Sequence, residues 1–443
     1  MARQLFGTDG VRGRAGHFLT AELALSLARV AVSRTGGTEH PRVLIVRDTR
    51  ESGEMLESAI AAGVAAAGGE ALLAGVLPTP AAALLVRRHA LQLAAVISAS
   101  HNSFEDNGIK LFGGDGFKLD DDTEHAIEEE LARAPAPPER IGRVHGFPGA
   151  LAHYLEELHG RFAELDLSRR RILLDCANGA TYQAAPEIFR RLGAEVEIVA
   201  DQPNGRNIND RCGSTQIGGF APLLARGGYD VGFSFDGDGD RVLAVDRDGV
   251  VVDGDELVAL AALHLRERGR LAGGGVAVTV MTNYGFHQAM AAAGIGVATT
   301  PVGDRYVLDE LRRRGWMLGG EQSGHIIDLG FGPSGDGIAS ALLTLEALGE
   351  RDLRERDAMH KLPQRLVNIR ASDRAALAAA IEDPSVRVAI DQANIAVSGR
   401  GRVLVRASGT ESLIRVMVEA SSEEETEAVG ARLAEAVRAA LDE

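Results

Sequence analysis

The stretch LAAVISASHN, residues 93–102, begins with five apolar residues and ends in serines, a histidine and an asparagine. The same change from an apolar run to a polar or glycine-rich turn occurs at RVLIVRDTRES (42–52), RILLDCANGA (171–180), DVGFSFDGDGDR (230–241), GVAVTVMTNYG (275–285) and WMLGGEQSGH (316–325). Apolar strands alternating with helical stretches predict parallel or mixed sheets covered by helices. Ligand groups gather beyond the carboxyl ends of such strands, so the polar turns are predicted to line a crevice.

Three similar α/β domains followed by a C-terminal α+β domain are predicted. The chain of 443 residues is too long for one core of ordinary size. Proline-rich RAPAPPER (133–140), turn-rich DRDGVVVDGDE (246–256) and charged GERDLRERDAMHKLPQ (349–364) indicate boundaries. The predicted domains are residues 1–147, 148–252, 253–364 and 365–443. The last domain is predicted to be a small antiparallel sheet with helices on one face. This prediction rests on four strand-like runs, LVNIRAS (366–372), VRVAID (386–391), RVLVRASG (402–409) and LIRVMVEAS (413–421).

The overall charge disfavours polyanions as partners. With 63 acidic and 47 basic residues the net charge is -16, which repels nucleic acid and anionic membranes. An anionic substrate therefore requires a local positive cluster.

Cys176 and Cys212 form neither a disulfide framework nor a metal-type pair. The N-terminal stretch lacks a long apolar run, and no membrane span is expected, so a cytoplasmic protein is predicted.

The strongest local signal is FDGDGDR, in which Asp236, Asp238 and Asp240 alternate with glycines. Three converging carboxylates repel one another unless a cation lies among them. The spacing does not fit an EF-hand, and a compact set of oxygen ligands favours Mg²⁺. The alternative is an acidic turn exposed to water.

Ser100 is a candidate nucleophile at the end of a strand. The flanking residues do not form the G-x-S-x-G elbow of hydrolases. In an extended chain Ser100 and His101 would point to opposite sides, which disfavours a Ser–His dyad. Phosphoryl transfer fits better, because a phosphoserine would give the three-aspartate site a fourth ligand. In isolation, a serine here is more often a helix cap.

Lys110 is one of three lysines in the chain, and a lysine can lose its proton where an arginine cannot. The alternative is a solvated surface cation.

No Walker A loop is present. Phosphate recognition is predicted instead in RASGTESLIR, from Arg406, Ser408, Gly409, Thr410 and Arg415. Arg12 is a second candidate for binding an anion.

GGEQSGH, residues 319–325, is a candidate sugar-binding loop. Glu321, Ser323 and His325 would alternate on one side of an extended loop, where they could bond sugar hydroxyls. The carboxylate would also attract an ammonium group on the ligand.

Together, these motifs resemble the α-D-phosphohexomutase family along the whole chain. The resemblance is carried by FGTDGVRG (6–13), SASHN (98–102), DGDGDR (236–241), VGDRYV (302–307) and GEQSGH (320–325), a combination similar to its amino-sugar members. It implies four domains around a central cleft, each contributing one loop. One departure is Ser103, where the family usually has proline.

The resemblance also implies roles for the candidate residues. Ser100 would carry the phosphoryl group and, with the three aspartates, bind one Mg²⁺ per chain. Lys110 and His101 would handle protons, and Arg12 and Arg241 would lie near the transferred phosphate. Glu321 and Ser323 would hold the sugar with His325 nearby, and the RASGTESLIR loop would hold the phosphate that does not react.

The implied reaction interconverts glucosamine 6-phosphate and glucosamine 1-phosphate, toward UDP-N-acetylglucosamine and cell-wall synthesis. It passes through the 1,6-bisphosphate, with glucosamine or glucose 1,6-bisphosphate as activator. The implied partner is a hexosamine phosphate, with no nucleic acid or membrane, and the chain would be a monomer or homodimer. Alternatives are a phosphomannomutase or phosphoglucomutase, a magnesium phosphatase, and a non-catalytic sugar-phosphate sensor.

Overall fold

The computed structural model describes residues 5–7, 9–35, 40–131, 133, 140–371, 374–407 and 412–442. The chain divides into two compact units, Met1–Val280 with Ala298–Arg356, and Met281–Val297 with Asp357–Glu443. Within the described ranges, no helix combines the length and apolar character needed to cross a membrane.

The first sheet is mixed and has the strand order β1-β2-β6-β5-β3-β4-β7. Its strands are β1 (Phe6–Gly7), β2 (Gly10–Arg14), β3 (Arg42–Arg47), β4 (Glu70–Val76), β5 (Leu93–Ile97), β6 (Asp106–Gly113) and β7 (Arg143–Gly146). The helices between them are α1 (Ala21–Ser33), α2 (Gly53–Ala66), α3 (Thr79–Arg88) and α4 (Asp121–Leu131). Residues 134–139 of the proline-rich stretch lie outside the described residues, and β7 beyond it pairs in parallel with β4.

Strand β5 is central to this sheet and is buried along its whole length. It pairs in parallel with β3 and antiparallel with β6, which places Lys110 opposite Val96. Because β6 returns directly alongside β5, Lys110 lies near the polar turn that follows Ile97. The strand register thus explains why residues ten apart in sequence reach the same site.

The second sheet has the order β12-β11-β10-β8-β9. Its elements are α5 (Ala150–Arg161), β8 (Arg171–Asp175), α6 (Ala184–Arg191), β9 (Glu195–Val199), a 3₁₀ turn (Ser214–Gln216), α7 (Ile217–Gly227), β10 (Val231–Phe235), β11 (Val242–Asp246) and β12 (Val251–Val252). Strands β10 and β11 are antiparallel, with Phe235 opposite Val242. The aspartate motif is therefore the loop of a hairpin that rises from a fully buried strand.

The third sheet has the order β14-β13-β15-β16. Its elements are α8 (Gly254–Glu267), a 3₁₀ turn (Ala272–Gly274), β13 (Gly275–Thr279), α9 (Tyr284–Ala292), β14 (Gly296–Thr300), α10 (Asp304–Arg314), β15 (Leu318–Gly320), β16 (Ile326–Asp328), α11 (Gly337–Leu348) and a 3₁₀ turn (Leu353–Glu355). Helix α8 begins with a reciprocal capping box between Asp253 and Glu256.

The C-terminal sheet is antiparallel, as predicted, with the order β17-β19-β18. Its elements are β17 (Gln364–Arg370), α12 (Arg374–Glu382), α13 (Pro384–Val397), β18 (Arg402–Ala407), β19 (Leu413–Glu419) and α14 (Glu423–Asp442). The prediction of a strand at 386–391 is wrong, because these residues lie in α13. Its buried positions Val386, Ala393 and Val397 have helical spacing, which outweighs the local β propensity of the valines.

Asp336 links the second and third domains from a buried position at the start of α11. Its carboxylate accepts hydrogen bonds from the Ala339 backbone N–H (2.9 Å) and the Tyr154 hydroxyl (3.0 and 3.1 Å). Burial raises the pKa of the Asp336 carboxyl from 3.8 to about 6. The folded state thus keeps this proton at a pH where the unfolded state has lost it.

This raised pKa predicts a pH-dependent effect of Asp336→Asn. Stability from the protonated carboxyl is complete below pH 3.8 and is lost as the pH rises through about 6. We expect the variant to become more stable relative to the parent, by roughly 3 kcal/mol, between pH 4 and pH 8. Urea unfolding at several pH values checks this, with Asp248→Asn, an exposed carboxylate, as control. A stability difference that does not change with pH would contradict the prediction.

Candidate active site

Ser100 lies in the turn between β5 and β6, in a left-handed backbone conformation with φ of 52°. The side chain is buried, and its Oγ donates a hydrogen bond to Asp236 Oδ2 at 2.6 Å. Nδ1 of His101 is 3.3 Å from the same Oγ. The expectation that Ser100 and His101 point apart is wrong, because the chain here is a left-handed turn and not extended.

The three aspartates converge as the motif predicts. One carboxylate oxygen from each of Asp236, Asp238 and Asp240 lies within 4.8 Å of the others, and all three residues are buried. Oδ1 of Asp238 and Oδ1 of Asp240 accept no hydrogen bond from the described residues. Buried carboxylate oxygens require a partner, so this set fits a divalent cation with oxygen ligands. The alternative of an acidic turn exposed to water is excluded by the burial.

The aspartates differ in their affinity for protons. Burial, followed by repulsion from Asp240 and Asp238, raises the pKa of Asp236 well above its usual value. For Asp240 burial acts in the same direction, but Lys110 and His325 outweigh it and hold the pKa of Asp240 well below its usual value. Burial and the neighbouring charges thus shift the pKa values of these two carboxyl groups in opposite directions.

Lys110 supplies positive charge to the carboxylates. Its Nζ lies 2.9 Å from Asp238, 3.0 Å from Asp9 and 3.7 Å from Asp240. Burial opposes the ammonium form, but attraction to these three carboxylates raises the pKa of Lys110. In this arrangement the lysine is protonated, which suits a proton donor. The alternative of a solvated surface cation is excluded, because the side chain is 1% exposed.

Three charged residues of the site were missed by the sequence interpretation. Asp9 is paired with Lys110, with Arg12 and with Lys118, and Lys118 also bonds Asp304 at 2.6 Å. Asp9 lies in the motif FGTDGVRG, Asp304 lies in VGDRYV, and Lys118 is one of the three lysines of the chain. Motifs and composition could therefore have identified all three residues from the sequence. Their mutual contacts could not be derived, because they join segments more than 100 residues apart.

Two predicted residues from the second and third domains adjoin the aspartates. Arg241 and His325 form an isolated backbone bridge, and His325 Nδ1 is 3.6 Å from Asp240 Oδ2. Burial lowers the pKa of His325, but Asp240 and Asp304 outweigh this effect and raise it. For His101 the pKa is lowered, first by burial and then by the positive charges of Arg241 and Arg12. The site therefore holds one histidine that favours its protonated form and one that favours its neutral form.

The prediction of an extended loop at GGEQSGH is wrong, because these residues turn tightly between β15 and β16. Glu321 N–H bonds the His325 carbonyl at 3.0 Å, and Gly324 N–H bonds the Glu321 carbonyl at 2.9 Å. As a result Glu321 and His325 are buried and Ser323 is exposed. Glu321 Oε1 accepts the Gly303 N–H at 3.0 Å, so it is anchored to the VGDRYV segment.

In the second compact unit, Arg406 and Arg415 are direct partners across β18 and β19. Burial and then repulsion from Arg415 lower the pKa of Arg406. Two adjacent guanidinium groups are suited to an anion. The other members of the predicted phosphate loop, Ser408, Gly409 and Thr410, lie outside the described residues.

Gly237 lets the aspartate loop approach the serine loop closely. A Cβ at this position would lie 2.5 Å from the Ser100 carbonyl oxygen and 2.7 Å from Asn209 Nδ2. Gly237→Ala would therefore push the two loops apart, and we expect kcat to fall about 100-fold. Steady-state kinetics check this, with Gly218→Ala as the control, since a Cβ at Gly218 meets nothing within 4 Å. Equal activity of the two variants would contradict the close packing.

Four models of one family match successive parts of the chain. They describe phosphoglucomutase/phosphomannomutase alpha/beta/alpha domain I at residues 3–137, domain II at 152–249, domain III at 253–366 and the C-terminal domain at 366–436. The chain belongs to the phosphoglucomutase/phosphomannomutase family. This confirms the predicted fold class and the resemblance found in the motifs.

Proteins similar to this chain in sequence or structure include a phosphoglucosamine mutase of Mycolicibacterium smegmatis. It is 48% identical over 454 residues, with 99% of each chain covered. A phosphoglucomutase/phosphomannomutase family structure from Burkholderia thailandensis has a TM-score of 0.82 at 23% identity, covering 98% of this chain and 97% of the other. An Aspergillus fumigatus N-acetylphosphoglucosamine mutase, solved with GlcNAc-6P and magnesium, has a TM-score of 0.68 at 19% identity, covering 99% and 96%.

Proposed function

We propose that this enzyme is a phosphoglucosamine mutase, which interconverts glucosamine 6-phosphate and glucosamine 1-phosphate through a phosphoserine at Ser100. The observation that carries the proposal is the buried Ser100 Oγ at 2.6 Å from an aspartate of the three-carboxylate cluster. The choice of an amino sugar is supported by the relative that is 48% identical over the full length.

In the first half-reaction, the bond between phosphorus and Ser100 Oγ breaks as a bond forms to O1 of glucosamine 6-phosphate. The O1 proton is lost and Ser100 Oγ gains one. His101 Nδ1 is 3.3 Å from the serine Oγ, and Lys110 Nζ is 2.9 Å from Asp238 of the aspartate cluster. We assign the two proton transfers to Lys110 and His101.

The second half-reaction reverses this chemistry at the other end of the sugar. The 1,6-bisphosphate turns over within the site, and its 6-phosphoryl group passes to Ser100, leaving glucosamine 1-phosphate. Glucosamine or glucose 1,6-bisphosphate would restore an enzyme that has lost its phosphate. Arg406 and Arg415, with Ser408, Gly409 and Thr410, are proposed to hold the phosphate that does not react.

Charge on the transferred group would be balanced by positive side chains of the protein and by one metal ion. Asp236, Asp238 and Asp240, with an oxygen of the phosphoserine, would hold Mg²⁺, which when bound offsets the charge of a loose phosphoryl-transfer transition state. Arg12 and Arg241 are proposed to bind the oxygens of the same phosphate. Exclusion of water keeps transfer ahead of hydrolysis.

Glu321 and Ser323 are proposed to hold the sugar, with His325 beside them. A cavity of about 400 Å³ lies beside this segment and is lined by Gly303, Asp304 and His325, among others. The carboxylate of Glu321 offers an opposite charge to the ammonium of glucosamine. This supports preference for an amino sugar over glucose or mannose.

The remaining assignments follow from the same reaction. We propose that the domains are residues 1–147, 148–252, 253–364 and 365–443, that the enzyme works in the cytoplasm, and that its partner is a hexosamine phosphate and no nucleic acid. It would act as a monomer or homodimer.

A comparison of kcat/KM for the 6-phosphates of glucosamine, glucose and mannose tests this function. We expect the highest value for glucosamine, with less than one inorganic phosphate released per hundred turnovers. A higher value for glucose or mannose phosphate would identify a mutase for neutral sugars. Stoichiometric phosphate release would identify a phosphatase, and binding without turnover would identify a sensor.

A further inference from the structure

Arg50 is a fully buried residue just beyond β3 whose guanidinium group enters the serine loop. Its Nη2 donates to the carbonyl oxygens of Ser100 (2.8 Å) and Asn102 (3.0 Å). Its Nη1 donates to the carbonyl oxygens of Asp106 (2.9 Å) and Ser103. One side chain thus binds four backbone carbonyls of a single turn. This planar fork of donors is particular to arginine.

Asp48 fixes this guanidinium and also reaches the other side of Ser100. Its Oδ2 accepts from Arg50 Nε at 2.8 Å and from Ser98 Oγ at 2.5 Å. Ser98 Oγ in turn accepts the Ser100 backbone N–H at 2.9 Å. The N–H and the carbonyl of Ser100 are therefore both connected to the Asp48–Arg50 pair.

Asn209, from the second domain, binds the same two carbonyls as Arg50. Its Nδ2 donates to Ser100 O at 2.9 Å and to Asn102 O at 3.1 Å. Its backbone is left-handed, with φ of 58°, and its N–H bonds the Ala177 carbonyl at 2.9 Å. The serine loop is thus held by the first domain on one side and by the domain of the aspartates on the other.

These hydrogen bonds surround Ser100, whose backbone conformation is unfavourable for a serine. A serine with φ of 52° is uncommon, since the left-handed region suits glycine and asparagine better. Such a conformation persists only where the surrounding structure determines it strongly. In this conformation Ser100 Oγ is aimed at Asp236, so loss of the restraints would misdirect the reacting oxygen.

We propose that Arg50 and Asn209 are positioning residues that hold Ser100 left-handed and aim its Oγ into the aspartate cluster. The effect on catalysis rests on the proposed function, whereas the effect on the loop does not. Arg50 is fully buried, and Nδ2 of Asn209 is bonded to the serine loop. Their loss therefore reduces the rate of phosphoryl transfer and leaves the binding of substrate nearly unchanged.

The first test compares Asn209→Gly with Asn178→Gly. Both asparagines are left-handed residues of the second domain, with φ of 58° and 48°, so glycine is tolerated equally well. Asn178 Nδ2 faces Asn207 O and not the serine loop. We expect Asn209→Gly to lower kcat about 100-fold with KM changed less than threefold, and Asn178→Gly to keep kcat within threefold. The proposal would be overturned if the two variants had equal kcat values, or if Asn209→Gly changed KM and not kcat.

Hydrogen exchange provides a measurement that does not depend on activity. In the unphosphorylated chain, the amides of residues 98–106 are expected to exchange at least tenfold faster in Asn209→Gly and Arg50→Lys than in Asn178→Gly. Arg50→Lys keeps the charge beside Asp48 but removes the fork of donors. Unchanged exchange at 98–106 would overturn the proposal even if the enzyme is active. An inactive parent chain with the expected exchange would instead refute the proposed function alone.

Discussion

Ser100→Ala is expected to lower kcat by about 10⁴-fold or more, because no other described hydroxyl lies within hydrogen-bonding distance of Asp236. The serine hydroxyl is the group that breaks and forms the phosphoester, so its loss removes the reaction pathway. The substitution deletes one hydrogen bond to Asp236, worth roughly 1 kcal/mol, and the fold should remain intact. Steady-state turnover and thermal unfolding measure the two effects separately.

Ser103→Ala is the matched control for this prediction. Ser103 is an exposed residue of the same turn, and its contact with Arg50 is made by the backbone carbonyl, which alanine retains. Turnover of this variant should stay within about twofold of the parent. Near-normal turnover of Ser100→Ala would remove the basis of the proposed reaction.

Asp238→Asn is expected to lower kcat by about 10³-fold and to abolish stabilisation by Mg²⁺. A bound metal ion stabilises such a transition state by several kcal/mol. Losing that stabilisation corresponds to a fall in kcat of this size. In the parent chain, Mg²⁺ at one hundred times its Kd should add about 2.7 kcal/mol of stability. Kinetics and thermal unfolding with and without Mg²⁺ after treatment with a chelator check both statements.

Asp248→Asn removes the same charge from the turn after β11 and serves as its control. Asp248 is largely exposed and lies outside the cluster. It should retain both turnover and the response to Mg²⁺. Full activity of the chelated parent chain, or equal stabilisation of Asp238→Asn by Mg²⁺, would show that the three aspartates do not bind the catalytic metal.

The sequence predicted the positions that depend on strand ends. Apolar runs followed by polar turns located Ser100 and the aspartates correctly, because β5 and β10 are buried along their whole length. Lys110 was found through composition alone, and the antiparallel register of β5 and β6 explains its position.

Local conformation and distant contacts could not be predicted from the same patterns. Ser100 and His101 meet because of a left-handed turn, which the alternation rule for extended chains does not cover. The contacts that Arg50 and Asn209 make with the serine loop join residues 50 or more positions apart. Residues 386–391 resemble a strand in sequence but form part of α13, because the buried positions of that helix have helical spacing.

The most direct test of the central claim is the mass of the peptide spanning residues 95–110, before and after mixing with glucosamine 6-phosphate. Enzyme treated with glucose 1,6-bisphosphate should carry one phosphate on Ser100, and that phosphate should pass to the sugar to give the 1,6-bisphosphate. A peptide that never gains phosphate while turnover proceeds, or phosphate found on a different residue, would contradict the account.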